Sequence, residues 1–151
     1  MTTTAADDLR AHLIGAWTLE SYESRRIDGS NVIYPFGPDA QGIILYTADG
    51  FMSTQLMRSG RKPFTGRDPH KAQDDELTSA ASGYLAYSGP FTITDDGQIA
   101  HHIVVSLLPN WVRETQYHLA HLEGSRLELR PPEPTLIGGE LHNANLVWRR
   151  A

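Results

Sequence analysis

From residue 15 onward, apolar and polar side chains alternate in short runs, the period of two that sends successive side chains to opposite faces of a β-strand. Trp17-Thr18-Leu19-Glu20-Ser21-Tyr22-Glu23 is the first such run, with Trp17, Leu19 and Ser21 on one face and Thr18, Glu20 and Tyr22 on the other. Asp28-Gly29 marks a hairpin before the brief strand Val32-Ile33-Tyr34, which Pro35 ends. Two further strands, Gly42 to Thr47 and Phe51 to Met57, flank the tight turn Ala48-Asp49-Gly50. The stretch from Arg58 to Gln73 has no apolar period and reads as a surface loop, with Arg58, Arg61, Lys62, Arg67 and Lys71 as a basic cluster. Strand patterns return at Phe91 to Thr94, Gln98 to Leu108, Val112 to Leu122, Arg126 to Arg130 and Glu140 to Arg149.

Two segments carry a helical spacing instead. Thr4 can cap a short helix with Asp7 and Asp8 in its first turn and Leu9, Leu13 and Ile14 along one side, ended by Gly15. Asp74 or Asp75 can cap a second one carrying Leu77, Ala81, Tyr84 and Leu85, with Gly83 weakening its last turn. Eight to ten short strands joined by tight turns, with a short N-terminal helix and one mid-chain helix, predict an all-β fold. The short connections favour an antiparallel up-and-down barrel, which leaves no open edges. No repeat and no shift of composition marks a boundary, so residues 1–151 are expected to form one domain, with the barrel over about 13–150.

Composition narrows the chemistry. The chain has no cysteine, which excludes disulfides, thiolate metal sites and cysteine nucleophiles. A net charge of −5 argues against a nucleic-acid surface. No apolar run reaches the roughly 20 residues of a membrane helix, and the first residues lack a basic and then apolar leader, so a cytoplasmic protein is expected. The outer faces of a barrel can pair, so a homodimer is compatible with the chain, which specifies none.

Gly15-Ala16-Trp17 opens the first strand after a helix, and Trp148-Arg149 closes the last. This resembles the Gly-x-Trp signature of lipocalins and their calycin relatives, in which the Trp plugs one end and a basic residue near the C-terminus stacks over it. Pro35-Phe36-Gly37, Gly42-Ile43-Ile44-Leu45-Tyr46-Thr47, Asp49-Gly50-Phe51-Met52-Ser53, Tyr87-Ser88-Gly89, His101-His102 and Ser106-Leu107-Leu108-Pro109-Asn110-Trp111 resemble the bacterial and fungal lipocalin-like domain family. The resemblance runs from about Leu13 to Arg150. It implies a lipocalin-like barrel whose lumen holds a small, largely apolar or aromatic molecule, and it carries little about activity.

Within such a lumen the polar residues carry the interest. On Gln98–Leu108 the period of two separates Ala100, His102, Val104, Ser106 and Leu108 from His101, Ile103, Val105 and Leu107, and both faces are apolar. The resemblance favours His102 and Ser106 as the inward pair, with His102 the candidate acid or base. Tyr87 is the second catalytic candidate, polarising a carbonyl. Tyr46 and Tyr84 are further phenol donors, Met52 is adaptable apolar lining, Trp111 can cap the open mouth, and Gln116 shares a face with His118. Adjacent His101 and His102 point to opposite faces and cannot share an ion, so no metal site is expected, nor any cofactor. Two functions remain open: a cyclase or isomerase that confines its substrate and moves a proton through a His/Tyr pair, or a carrier or sensor that leaves its ligand unchanged.

Overall fold

The structure, a computed structural model, describes residues 2–151. Helix α1 (Ala5–Leu13) begins where the sequence provides its cap: the Thr4 hydroxyl accepts from the Asp7 N–H at 3.1 Å, and the Asp7 carboxylate accepts from the Thr4 N–H at 3.2 Å. Gly15 then takes a left-handed φ of 130° and turns the chain into the first strand.

Eleven strands follow in chain order: β1 (Gly15–Arg26), β2 (Val32–Ile33), β3 (Gln41–Tyr46), β4 (Phe51–Met57), β5 (Tyr84–Ile93), β6 (Ile99–His102), β7 (Val105–Ser106), β8 (Thr115–Glu123), β9 (Arg126–Arg130), β10 (Thr135–Ile137) and β11 (Glu140–Arg150). Eight of them, β1, β3, β4, β5, β6, β8, β9 and β11, pair antiparallel with their neighbours in that order. The sheet closes where β11 returns to β1, from Trp17 opposite Arg150 to Arg26 opposite His142. This is the up-and-down barrel that the strand pattern predicts. The short strands β2, β7 and β10 add to its rims. No helix among the described residues is long and apolar enough to cross a membrane.

Trp17 closes one end. It is fully buried, and its indole N–H donates to the Leu13 carbonyl at 2.9 Å, fastening α1 beneath the barrel. The Arg150 guanidinium lies 4.1 Å from the Trp17 ring and donates to the carbonyls of Ile14, at 3.1 Å, and His12. Arg149 instead faces out and pairs with Glu20 at 2.8 Å. Above this plug the inward side chains stack in layers read directly from the register: Tyr46 opposite Met52, then Ile44, Thr54 and Tyr87 across three strands, then Leu56 opposite Leu85.

Three local expectations are corrected. The second helix, α2 (Asp74–Ser82), is capped by Gln73, whose N–H donates to Glu76 at 3.2 Å, and it ends at Gly83. Tyr84 and Leu85 therefore belong to β5, where cross-strand pairing with Met57 and Leu56 outweighs their helical spacing. The run Gln98–Leu108 is not one strand. Ser88 opposes Val105 whereas Phe91 opposes His101, so a step of three on β5 faces a step of four on its partner, a β-bulge. Gly89 makes room for it, because a Cβ there would sit 1.9 Å from the His102 carbonyl oxygen. A second bulge lies in β1, where Leu19 opposes Trp148 and Ser21 opposes Val147. It moves Tyr22 onto the inner side, against the face expected from simple alternation.

Replacing Trp17 by Ala removes the plug and leaves a cavity, and is expected to cost about 3–5 kcal/mol in urea denaturation. Arg150→Ala, which loses only the stacked guanidinium and its hydrogen bonds, is expected to cost about 1–2 kcal/mol in the same measurement.

Candidate functional site

The barrel encloses a cavity of about 420 Å³. One wall is apolar, formed by Ile44, Leu56, Leu85, Leu129, Leu146 and Trp148. The opposite chemistry is gathered on β5, β6 and β8, which contribute Tyr87, His101, Gln116 and His118. Among the described residues no Lys, Arg, Asp or Glu lines the cavity.

His101 is the centre of this polar wall. It is fully buried, and both ring nitrogens are engaged: Nε2 lies 2.7 Å from the Tyr46 hydroxyl and Nδ1 lies 2.9 Å from the Tyr87 hydroxyl. Tyr46 sits one layer nearer the plug, packed edge-on against Phe91, and does not line the cavity. Tyr87 does line it, edge-on to Trp111 with ring centroids 5.7 Å apart. The His118 ring lies beside His101, centroids 4.6 Å apart, and neither of its nitrogens has a hydrogen-bond partner. The Trp148 indole N–H, buried across the cavity in the apolar wall on β11, has none either.

Residues 14–151 match the lipocalin-like domain family. The chain belongs to that family. A 4'-hydroxy-3'-methoxypropiophenone carrier protein of Aspergillus oryzae (strain ATCC 42149 / RIB 40) is 36% identical to it over 106 residues, which are 66% of this chain and 96% of that protein.

The lipocalin-like barrel places the sequence candidates unevenly. Tyr87, Trp111 and Gln116 line the lumen, Gln116 directly opposite His101 across β6 and β8. Tyr46 touches the site through His101, and Met52 is buried in the layer beside Tyr46. His102 does not face the lumen. Its ring is held on the outer side between the Thr92 hydroxyl, 2.8 Å from Nε2, and the Thr115 hydroxyl, 3.1 Å from Nδ1. The bulge is the reason, since His102 and Ser106 lie on either side of it and cannot both point inward. Ser106 is in register with Tyr87, but its hydroxyl accepts from the Leu108 N–H at 3.0 Å and it lies outside the cavity. Tyr84 lies on the outer face, bonded to Gln55, with Arg61 5.0 Å from its ring. None of residues 58–73 lines the lumen; Arg58 and Arg61 donate to the carbonyls of Pro35 and Ala80, and Thr65 donates to Glu76.

Sequence reasoning missed His101 and His118. A signal existed for His118, which shares its strand face with Gln116; none existed for His101, because Ile99 and Ile103 on its face are matched by Ala100 and Val104 on the face of His102.

Burial sets the charge of every group here. It pushes the Tyr46 and Tyr87 phenols up, with Tyr87 adding to the effect on Tyr46. It pulls His101 well below the usual imidazole range, helped by His118 and His102, and brings His118 down to about 4. The wall is therefore neutral at pH 7. An unfolded imidazole gains a proton below about pH 6.5, whereas folded His118 resists until about pH 4. Between those values the unfolded chain binds more protons, so stability is full above about 6.5 and falls as pH drops toward 4. Urea midpoints at pH 7, 5.5 and 4.5 are expected to decline, His118 contributing on the order of 3 kcal/mol. The variant His118→Leu is expected to flatten part of that decline.

Proposed function

We propose that this protein is a carrier for a small, neutral, largely apolar molecule with an aromatic or similarly compact body, held inside the barrel and released unchanged. The observation that carries this reading is the cavity of about 420 Å³ with one apolar wall and no formal charge on its lining. Ligand sites in proteins usually fall between about 300 and 1,000 Å³. Apolar walls reward burial of a hydrocarbon skeleton, and an ionised ligand would lose its hydration without meeting a counter-charge. The family's carrier from Aspergillus oryzae, whose name specifies an aromatic ketone, supports the same reading for this chain.

The cyclase or isomerase reading has less support. It calls for an inward ring nitrogen basic enough to take a proton from a substrate; both nitrogens of His101 face tyrosine hydroxyls, and His118, whose nitrogens have no partner, is a weak base because burial brings it down to about 4.

Isothermal titration with 4'-hydroxy-3'-methoxypropiophenone is expected to give saturable one-to-one binding, with the compound recovered unaltered by chromatography. Ala144 lies in the cavity wall on β11. Ala144→Phe places a ring in the lumen and is expected to weaken binding at least tenfold, about 1.4 kcal/mol, while the near-UV circular dichroism keeps its native form. Conversion of the ketone into a new compound would replace carriage with catalysis, and binding indifferent to Ala144→Phe would remove the lumen as the site.

A further inference from the structure

The hydrogen-bond chain Tyr46–His101–Tyr87 has a fixed number of protons, and counting them assigns a direction. A neutral imidazole has one N–H and one bare nitrogen, so it donates to one tyrosine and accepts from the other. Burial keeps His101 neutral at pH 7. Two arrangements then exist. In one, Nε2–H donates to Tyr46, Tyr87 donates to Nδ1, and the Tyr46 hydroxyl proton is left over. In the other, Tyr46 donates to Nε2, Nδ1–H donates to Tyr87, and the Tyr87 hydroxyl proton is left over.

The surroundings choose between them. Tyr46 is 1% exposed, and among the described residues its hydroxyl meets no partner other than His101. A stranded donor there costs about 1–3 kcal/mol. Tyr87 faces the cavity, where a leftover proton can meet a ligand or water. The second arrangement is the stable one.

We infer that Tyr87 presents its hydroxyl proton to the lumen as a fixed hydrogen-bond donor, oriented by Tyr46 through His101, and that the barrel thereby selects neutral ligands bearing a carbonyl oxygen. The inference rests on the proposed binding of a small molecule in the lumen. Tyr87 is the group that touches the ligand; Tyr46 and His101 are positioning residues. The geometry explains why three polar rings meet beside a lumen lined largely by hydrocarbon: the trio turns one donor toward the cavity and carries no charge. The partnerless nitrogens of His118, beside His101, mark the same wall as the polar side of the cavity. A ligand accordingly lies with its carbonyl toward β5 and β6 and its hydrocarbon body against Leu129, Leu146 and the other apolar side chains.

Two probes that share a skeleton and differ at the carbonyl test this: propiophenone and propylbenzene, titrated by calorimetry into the wild-type chain and Tyr87→Phe. The ratio of their dissociation constants cancels the general apolar contribution. Tyr87→Phe is expected to shift that ratio about fivefold against propiophenone, the worth of one neutral hydrogen bond, while propylbenzene binds both chains alike. An unchanged ratio with both probes bound overturns the inference and leaves carriage standing. Failure of both probes to bind the wild-type chain overturns both. Independently of any ligand, ¹⁵N-resolved NMR of the wild-type protein is expected to show His101 protonated on Nδ1 and bare on Nε2; the opposite tautomer overturns the inference.

Discussion

Everything in this molecule depends on the return of β11 to β1. Without that ladder the eight strands form an open sheet with two exposed edges and no interior, and neither a lumen nor a buried polar wall exists. The closure is long, running from Trp17 and Arg150 at the plug to Arg26 and His142 at the other rim. Its lower end is also where β11 meets the end of α1. Arg150 spans the Trp17 ring and the last carbonyls of α1, so the terminal strand, the first strand and the helix are joined in one contact. A planar cation suits this place, since it stacks on an aromatic face while satisfying helix carbonyls that have no partner within the helix.

Enclosing space raises a second constraint, because every polar atom turned inward must find a partner or bear the cost of isolation. The barrel meets it by grouping. Tyr46, His101 and Tyr87 satisfy one another across three strands at 2.7 and 2.9 Å, and burial keeps all three uncharged. Gln116 and His118 lie on the same side, and most of the remaining lining is hydrocarbon. The result is an interior without formal charge on its lining, which disfavours ions by desolvation. The proposed carriage fits such an interior better than acid–base chemistry, since burial makes weak bases of both inward imidazoles, His101 and His118.

Much of the fold is legible in the order of residues. The turn signals Asp49-Gly50, Asp96-Gly97 and Glu123-Gly124 cut the chain where the structure turns, and glycines at 50, 97 and 124 all adopt positive φ as tight turns require. The Thr4 cap, the Gly15 break and the Gly-x-Trp opening are equally local, so they survive translation into structure with little change. Strand number and order follow too, because short hairpin connections leave neighbours in sequence as neighbours in space.

The sequence by itself determined an all-β chain with short connections, a tryptophan to plug it, and a supply of tyrosine and histidine inside it. What only the tertiary structure decided is which of those rings meet. Side-chain direction along a strand has a period of two, so one extra residue reverses every assignment beyond it. Bulges in β1 and between β6 and β7 do this, moving Tyr22 inward and placing His101 rather than His102 in the lumen. A bulge is set by the pairing of distant strands and by room such as Gly89 provides beneath the His102 carbonyl. Neither cause is present in the local pattern, which is why adjacent histidines with equally apolar neighbours could be told apart only once the barrel had closed.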